Sequence, residues 1–148
     1  MIRYSFSTEL GYVTLYSEDN KIIKITLKSD ERYNDKANEA ILLAEKEIKM
    51  YLSGETQEFT FPIEVNGSQF RKKVLMTMKE IPYGHTWSYS KLAWESGYKN
   101  ASRAVGTVCK NNPLPLIIPC HRVIKNNGEI GNFYGGTELK RTLLEIEK

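Results

Sequence analysis

Ser90-Lys91-Leu92-Ala93-Trp94-Glu95-Ser96-Gly97 followed by Tyr98-Lys99-Asn100-Ala101-Ser102-Arg103-Ala104-Val105-Gly106-Thr107-Val108-Cys109-Lys110 reads as two short helices joined by a tight, glycine-containing turn. Leu92 and Ala93 supply the inner side of the first helix, and Ala104, Val105 and Val108 that of the second. The pattern is that of a helix-turn-helix, an ordinary helical hairpin being the alternative. On the second helix one long cation, Arg103, stands among the small residues Ser102, Ala104 and Gly106. Small residues let a helix backbone approach a ligand closely. Gly106 weakens the helix by about 1 kcal/mol relative to Ala, a cost that points to close packing against protein or DNA.

Working outward, Ser68 can cap a helix carrying Phe70, Val74, Leu75 and Met78, which ends before Pro82-Tyr83-Gly84. On the other side, Asn112-Pro113-Leu114-Pro115 forces an extended connection into the buried segment Leu116-Ile117-Ile118. Asn126-Asn127-Gly128 predicts a hairpin turn between Arg122-Val123-Ile124 and Glu129-Ile130. Thr137 can cap a last helix with Leu139, Leu143, Leu144 and Ile146 on its inner side. In the first third, Tyr12–Tyr16 and Ile22–Leu27 read as strands around the turn Glu18-Asp19-Asn20. Ala37, Ile41, Ala44, Ile48 and Leu52 then recur at helical spacing, and Gly54 marks the stop. These elements predict an α/β (α+β) chain. A small N-terminal domain of antiparallel sheet plus helix, residues 1–66, precedes a mostly helical, winged helix-turn-helix-like domain, residues 67–148.

Composition bounds the partners. The 148 residues are 41% hydrophobic and 11% aromatic, enough for a packed core. No apolar run approaches a membrane span, and Met1-Ile2-Arg3-Tyr4 lacks the apolar block of a signal peptide. Two cysteines make no disulfide framework, so the expected setting is reducing and cytoplasmic, away from any membrane. Cys109, Cys120, His85 and His121 have no recognised ligand spacing, so no metal is expected. The net charge of +3 conceals an asymmetry: −4 up to Asn66 and +7 from Gly67 onward. A basic half suggests a polyanionic partner, although a solvated basic face reads the same way.

Ile118-Pro119-Cys120-His121-Arg122-Val123 carries the chemistry, because it sets a thiol beside a general base in an apolar segment. On these six residues alone Cys120 could equally be a small buried hydrophobe, and His121 and Arg122 surface residues.

Together with Ile81-Pro82-Tyr83-Gly84, Ser88-Tyr89, Arg103-Ala104-Val105-Gly106, Asn112-Pro113, Gly131-Asn132, Gly135-Gly136 and Glu147, that stretch resembles the O6-alkylguanine-DNA alkyltransferases, proteins of direct-reversal DNA repair. The motif spacing fits the family from about Ser68 onward. The resemblance implies that Cys120 takes the alkyl group from O6 of guanine, with O4-alkylthymine a further substrate class. His121 would deprotonate the thiol through a water, Glu147 would orient His121, and Tyr89 would donate to the leaving guanine. By themselves Glu147 reads as an exposed carboxylate and Tyr89 as an amphipathic aromatic at a helix start. Asn112 would tie the motifs together through backbone hydrogen bonds, or simply cap a helix end.

Double-stranded DNA bearing alkylated bases would be the partner, bound through the minor groove by a protein acting as a monomer. Arg103 would fill the gap left by the flipped base, or contact a phosphate. Ser102, Ala104, Gly106, Lys110 and Arg122 would complete the DNA surface, and Pro115, Val123, Tyr134 and Gly135 the base pocket. Many relatives have Tyr-Ser where this chain has Phe133-Tyr134, so the Ser side-chain contact to the guanine O6 does not carry over; the alternatives are backbone N–H donation from Tyr134 or a pocket of different size or substrate range. A thioether has no good leaving group, so each molecule would act once and without a cofactor. The alternative within the family's relatives is a non-catalytic lesion-binding protein. Those usually lack the cysteine, and Cys120 argues against that reading.

Overall fold

Three strands open the chain: β1 (Ile2–Thr8), β2 (Gly11–Glu18) and β3 (Lys21–Thr26), paired antiparallel in the order β1-β2-β3. The computed structural model describes residues 1–131 and 136–148. Pairing of Phe6 with Val13 and of Leu15 with Ile25 puts these side chains on one buried face. The β2–β3 turn holds Asp19 and Asn20 at φ 50° and 58°, a left-handed conformation that these two residue types tolerate. The sequence predicts only β2 and β3. β1 escapes because Phe6 alone among its residues is fully buried, which leaves little apolar alternation to read.

α1 (Glu39–Leu52) starts where the Asn38 side chain accepts from the Ile41 N–H at 2.9 Å. Its buried stripe is Ala40, Ile41, Ala44, Ile48 and Tyr51: Ile41, Ala44 and Ile48 are as predicted, while Ala40 and Tyr51 replace Ala37, which lies before the cap, and the half-buried Leu52. Residues Met1–Val65 and Pro113–Pro115 form one unit, in which the Ile25 N–H donates to the Pro113 carbonyl at 2.8 Å.

The second unit, Asn66–Asn112 and Leu116–Lys148, contains α2 (Gln69–Met78), β4 (Trp87–Ser88), α3 (Tyr89–Glu95), α4 (Ser102–Lys110), a single 3-10 turn (Cys120–Arg122), β5 (Val123–Ile124) and α5 (Thr137–Ile146). Ser68 and Ser88 cap α2 and α3 through their hydroxyls. Val74, Leu75, Met78, Leu92, Ala93, Val105, Val123, Leu139 and Leu143 make its core.

Two local expectations are corrected. β5 does not form a hairpin with Glu129-Ile130; it pairs in parallel with β4, Trp87 with Val123 and Ser88 with Ile124. The Asn126–Gly128 turn does form, and the Lys125 N–H reaches the Glu129 carbonyl at 2.8 Å, but Glu129 is exposed and among the described residues no ladder extends beyond it. Thr137 does not cap α5. It is the first helical residue, preceded by Gly136 at φ 94° with no side-chain cap bond. Among the described residues no helix is long and apolar enough to cross a membrane.

Candidate active site

The parallel β4–β5 pair is what assembles the site. Tyr89 follows β4 directly and the Cys120–Arg122 turn precedes β5 directly, so one short ladder fixes the start of α3 against the thiol's own turn. The Ser90 N–H adds a bond to the Asn126 side chain at 3.2 Å. Upstream, the Asn112 amide donates to the Ile118 carbonyl at 2.8 Å. That bond closes a loop in which Leu116 sits at φ 80°, a conformation costing a branched residue roughly 1–3 kcal/mol. Asn112 is therefore a tie between the two motifs rather than only a helix end.

Cys120 is buried and free, as is Cys109. Burial pushes the Cys120 thiol up to about 11, so at neutral pH it rests protonated. A hydrogen bond from Asn112 and the positive charge of Lys140 oppose that shift. Next to it, His121 is wholly buried, and its Nε2 lies 2.6 Å from Glu147 Oε2. Burial pulls the imidazole below its ordinary range while the Glu147 contact pulls it back up. The ring is thus neutral at physiological pH and able to accept a proton, and the carboxylate favours the imidazolium that results.

Glu147 is no exposed terminal carboxylate. It is 4% exposed at the end of α5, and it also binds the Arg122 guanidinium, Nε to Oε1 at 2.9 Å and Nη2 to Oε2 at 3.0 Å. This geometry overturns the assignment of Arg122 to the DNA surface. Its remaining donor, Nη1, reaches the Ile81 carbonyl at 2.7 Å, so the charge is spent on holding Glu147.

Tyr89 is half-buried at the start of α3, and burial pushes its phenol up to about 12, with the two neighbouring thiols adding to the shift. On α4, Arg103, Ala104 and Lys110 are exposed, Ser102 and Gly106 half-buried. A Cβ at Gly106 would stand 3.8 Å from the Tyr89 ring, ordinary contact, so nothing among the described residues demands glycine there. Val123 is buried, and its carbonyl accepts from Lys140. Pro115 is buried too and belongs to the first unit. The expectations for Tyr134 and Gly135 fall outside the described residues.

Sequence reasoning missed Lys140. Its ammonium is fully enclosed, donates to the Val123 carbonyl at 2.6 Å, and is pushed down to about 8 by burial against the opposing influence of Cys120 and Cys109. The available signal was its place on the inner stripe of α5 beside Leu139 and Leu143.

Fold and site together define a protein in which two short packed helices, α3 and α4, accompany a buried thiol whose chain neighbour His121 contacts a buried carboxylate. Residues 69–148 match the family model described as 6-O-methylguanine DNA methyltransferase, DNA binding domain. The chain belongs to that family. A methylated-DNA–protein-cysteine methyltransferase of Mycolicibacterium paratuberculosis is 32% identical across 100% of this chain and 93% of its own. The constitutive protein of that name from Bacillus subtilis is 34% identical across 95% and 92%. The crystal structure of Mycobacterium tuberculosis OGT in complex with DNA superposes with a TM-score of 0.91 at 31% identity, covering 100% of this chain and 93% of that one.

Proposed function

We propose that this protein repairs DNA by direct reversal, binding duplex DNA that contains O6-alkylguanine and moving the alkyl group irreversibly onto Cys120. The observation that carries the site assignment is the buried His121–Glu147 contact of 2.6 Å on the residue next to the thiol. The thiol proton passes through a water to His121. The sulfur then attacks the alkyl carbon, the S–C bond forming as the C–O6 bond breaks, and the electron pair leaves on the guanine. Tyr89, whose raised phenol keeps its proton, donates to that developing anion. The Asn112 bond and the Lys140 charge ease formation of the transient thiolate.

The first unit supports and the second carries out the reaction. Arg103, with Ser102, Ala104, Gly106 and Lys110, forms the surface that enters the minor groove and holds the duplex open while the base is flipped. A relay complete within one chain supports action as a monomer. The neutral thioether product offers no route back to the thiol, so each molecule reacts once.

Incubation with a duplex containing O6-methylguanine, followed by intact-mass measurement, is the direct test. One added methyl per protein, located on Cys120, is expected. An unmodified Cys120 beside unrepaired DNA would be the behaviour of a lesion-binding protein and would sink the transfer reading.

A further inference from the structure

Ile81-Pro82-Tyr83-Gly84 is among the residues shared with the family, yet the transfer steps give it no task. Within the second unit this loop grips the end of α5. Helix ends leave their last carbonyls without partners and tend to fray. Here the Tyr83 hydroxyl donates to the Ile146 carbonyl at 3.1 Å, occupying one of those carbonyls next to Glu147. The Gly84 N–H points at Glu147 Oε1 from 3.4 Å. Gly84 sits at φ 79°, and a Cβ there would stand 3.2 Å from the Glu147 carbonyl oxygen, so loop and helix end meet backbone to backbone. Arg122 closes the ring: it bonds the Ile81 carbonyl, lies 5.6 Å from the centre of the Tyr83 ring, and holds Glu147.

We propose that Tyr83 and Gly84 are positioning residues for the transfer reaction, clamping the Ile146–Glu147 helix end so that the carboxylate meets His121. The inference rests on the reading of Cys120 as alkyl acceptor and His121–Glu147 as its base pair. Tyr83 acts on the chemistry only through Glu147. A displacement of about 1 Å at the carboxylate is enough to undo a contact as short as the His121 one.

The test is a double-mutant cycle in the full chain, reading the single-turnover rate of methyl transfer from an O6-methylguanine duplex at saturating protein. Tyr83→Phe keeps the ring and removes only the hydroxyl. It should slow transfer by about three- to tenfold, the effect of one hydrogen bond expressed in a rate. In a Glu147→Gln background the same change should alter the rate by less than about twofold, because the group it positions is already disabled. Gly84→Ala should behave in the same way. His121 ring-nitrogen NMR supplies a second readout: in Tyr83→Phe the imidazole should titrate at lower pH than in the parent, as Glu147's upward pull weakens. A full rate in Tyr83→Phe with an unmoved imidazole overturns the clamp while leaving the acceptor reading intact. So does an equal loss in both backgrounds. No methyl on Cys120 in the parent overturns the acceptor reading and the clamp together, whereas a full rate in Glu147→Gln overturns the His121–Glu147 pairing and the clamp and leaves Cys120 as acceptor.

Discussion

Twenty-six positions separate His121 from Glu147, and their 2.6 Å contact shows how differently the two halves of the proposed relay are encoded. Cys120 and His121 are neighbours in the chain, so their pairing can be read from local chemistry. Glu147 reads locally as a solvated carboxylate, and only the family resemblance pointed to it. Arg122 is the converse case. A cation beside a DNA-protein motif suggests a phosphate contact, but burial beside Glu147 turns it inward. Arg103 stays exposed, and its role is testable at this scale. Arg103→Ala should impair transfer from an O6-methylguanine duplex far more than from free O6-benzylguanine, since only the duplex requires base flipping at a cost of roughly a few kcal/mol. Equal losses on the two substrates would remove Arg103 from the flipping step.

Among the elements, α4 balances stability against its exposed face. Gly106 lies in the helix interior with no positive φ, and among the described residues a methyl group there would meet only the Tyr89 ring at ordinary distance. Gly106→Ala should therefore stabilise the fold by about 0.5–1 kcal/mol, visible as a higher melting temperature. If the narrow face of α4 exists for the minor groove, the same variant should bind duplex DNA more weakly in a fluorescence-anisotropy titration. Stabilisation with unchanged DNA affinity would leave the glycine without that explanation. The helix positions were legible in advance because caps and apolar stripes are local. The partner of β5 was not: a two-residue strand is compatible with either its own hairpin or β4, and burial of Val123 beside Trp87 selects β4.

At the scale of the molecule, charge is partitioned, but not all of it faces solvent. Two of the thirteen cations after Asn66, Arg122 and Lys140, are buried. Lys140 makes stability depend on pH. Its ammonium titrates at about 8 in the fold against 10.5 in the unfolded chain, so between those values the unfolded state binds more protons and stability rises with pH. Cys120 and Cys109, raised from 9.0 to about 11 and about 12, act in the opposite sense, and their stabilisation is lost as pH climbs from about 9 through those values. Relative to a Lys140→Met variant, the parent's melting temperature should accordingly climb between about pH 7 and 9 in calorimetry. Parallel curves for the two proteins would show that Lys140 does not titrate in that window.

Turns, the Ser68 cap, most of the helical stripes and the Cys120-His121 adjacency were determined by the sequence alone, because each depends on residues within a few positions of one another. The convergence of Tyr83, Gly84 and Arg122 on Glu147, and the bond from Lys140 to the Val123 carbonyl, were decided by tertiary structure. Those contacts span long stretches of chain, and burial, which no local pattern reports, sets which charges pair and which protons move.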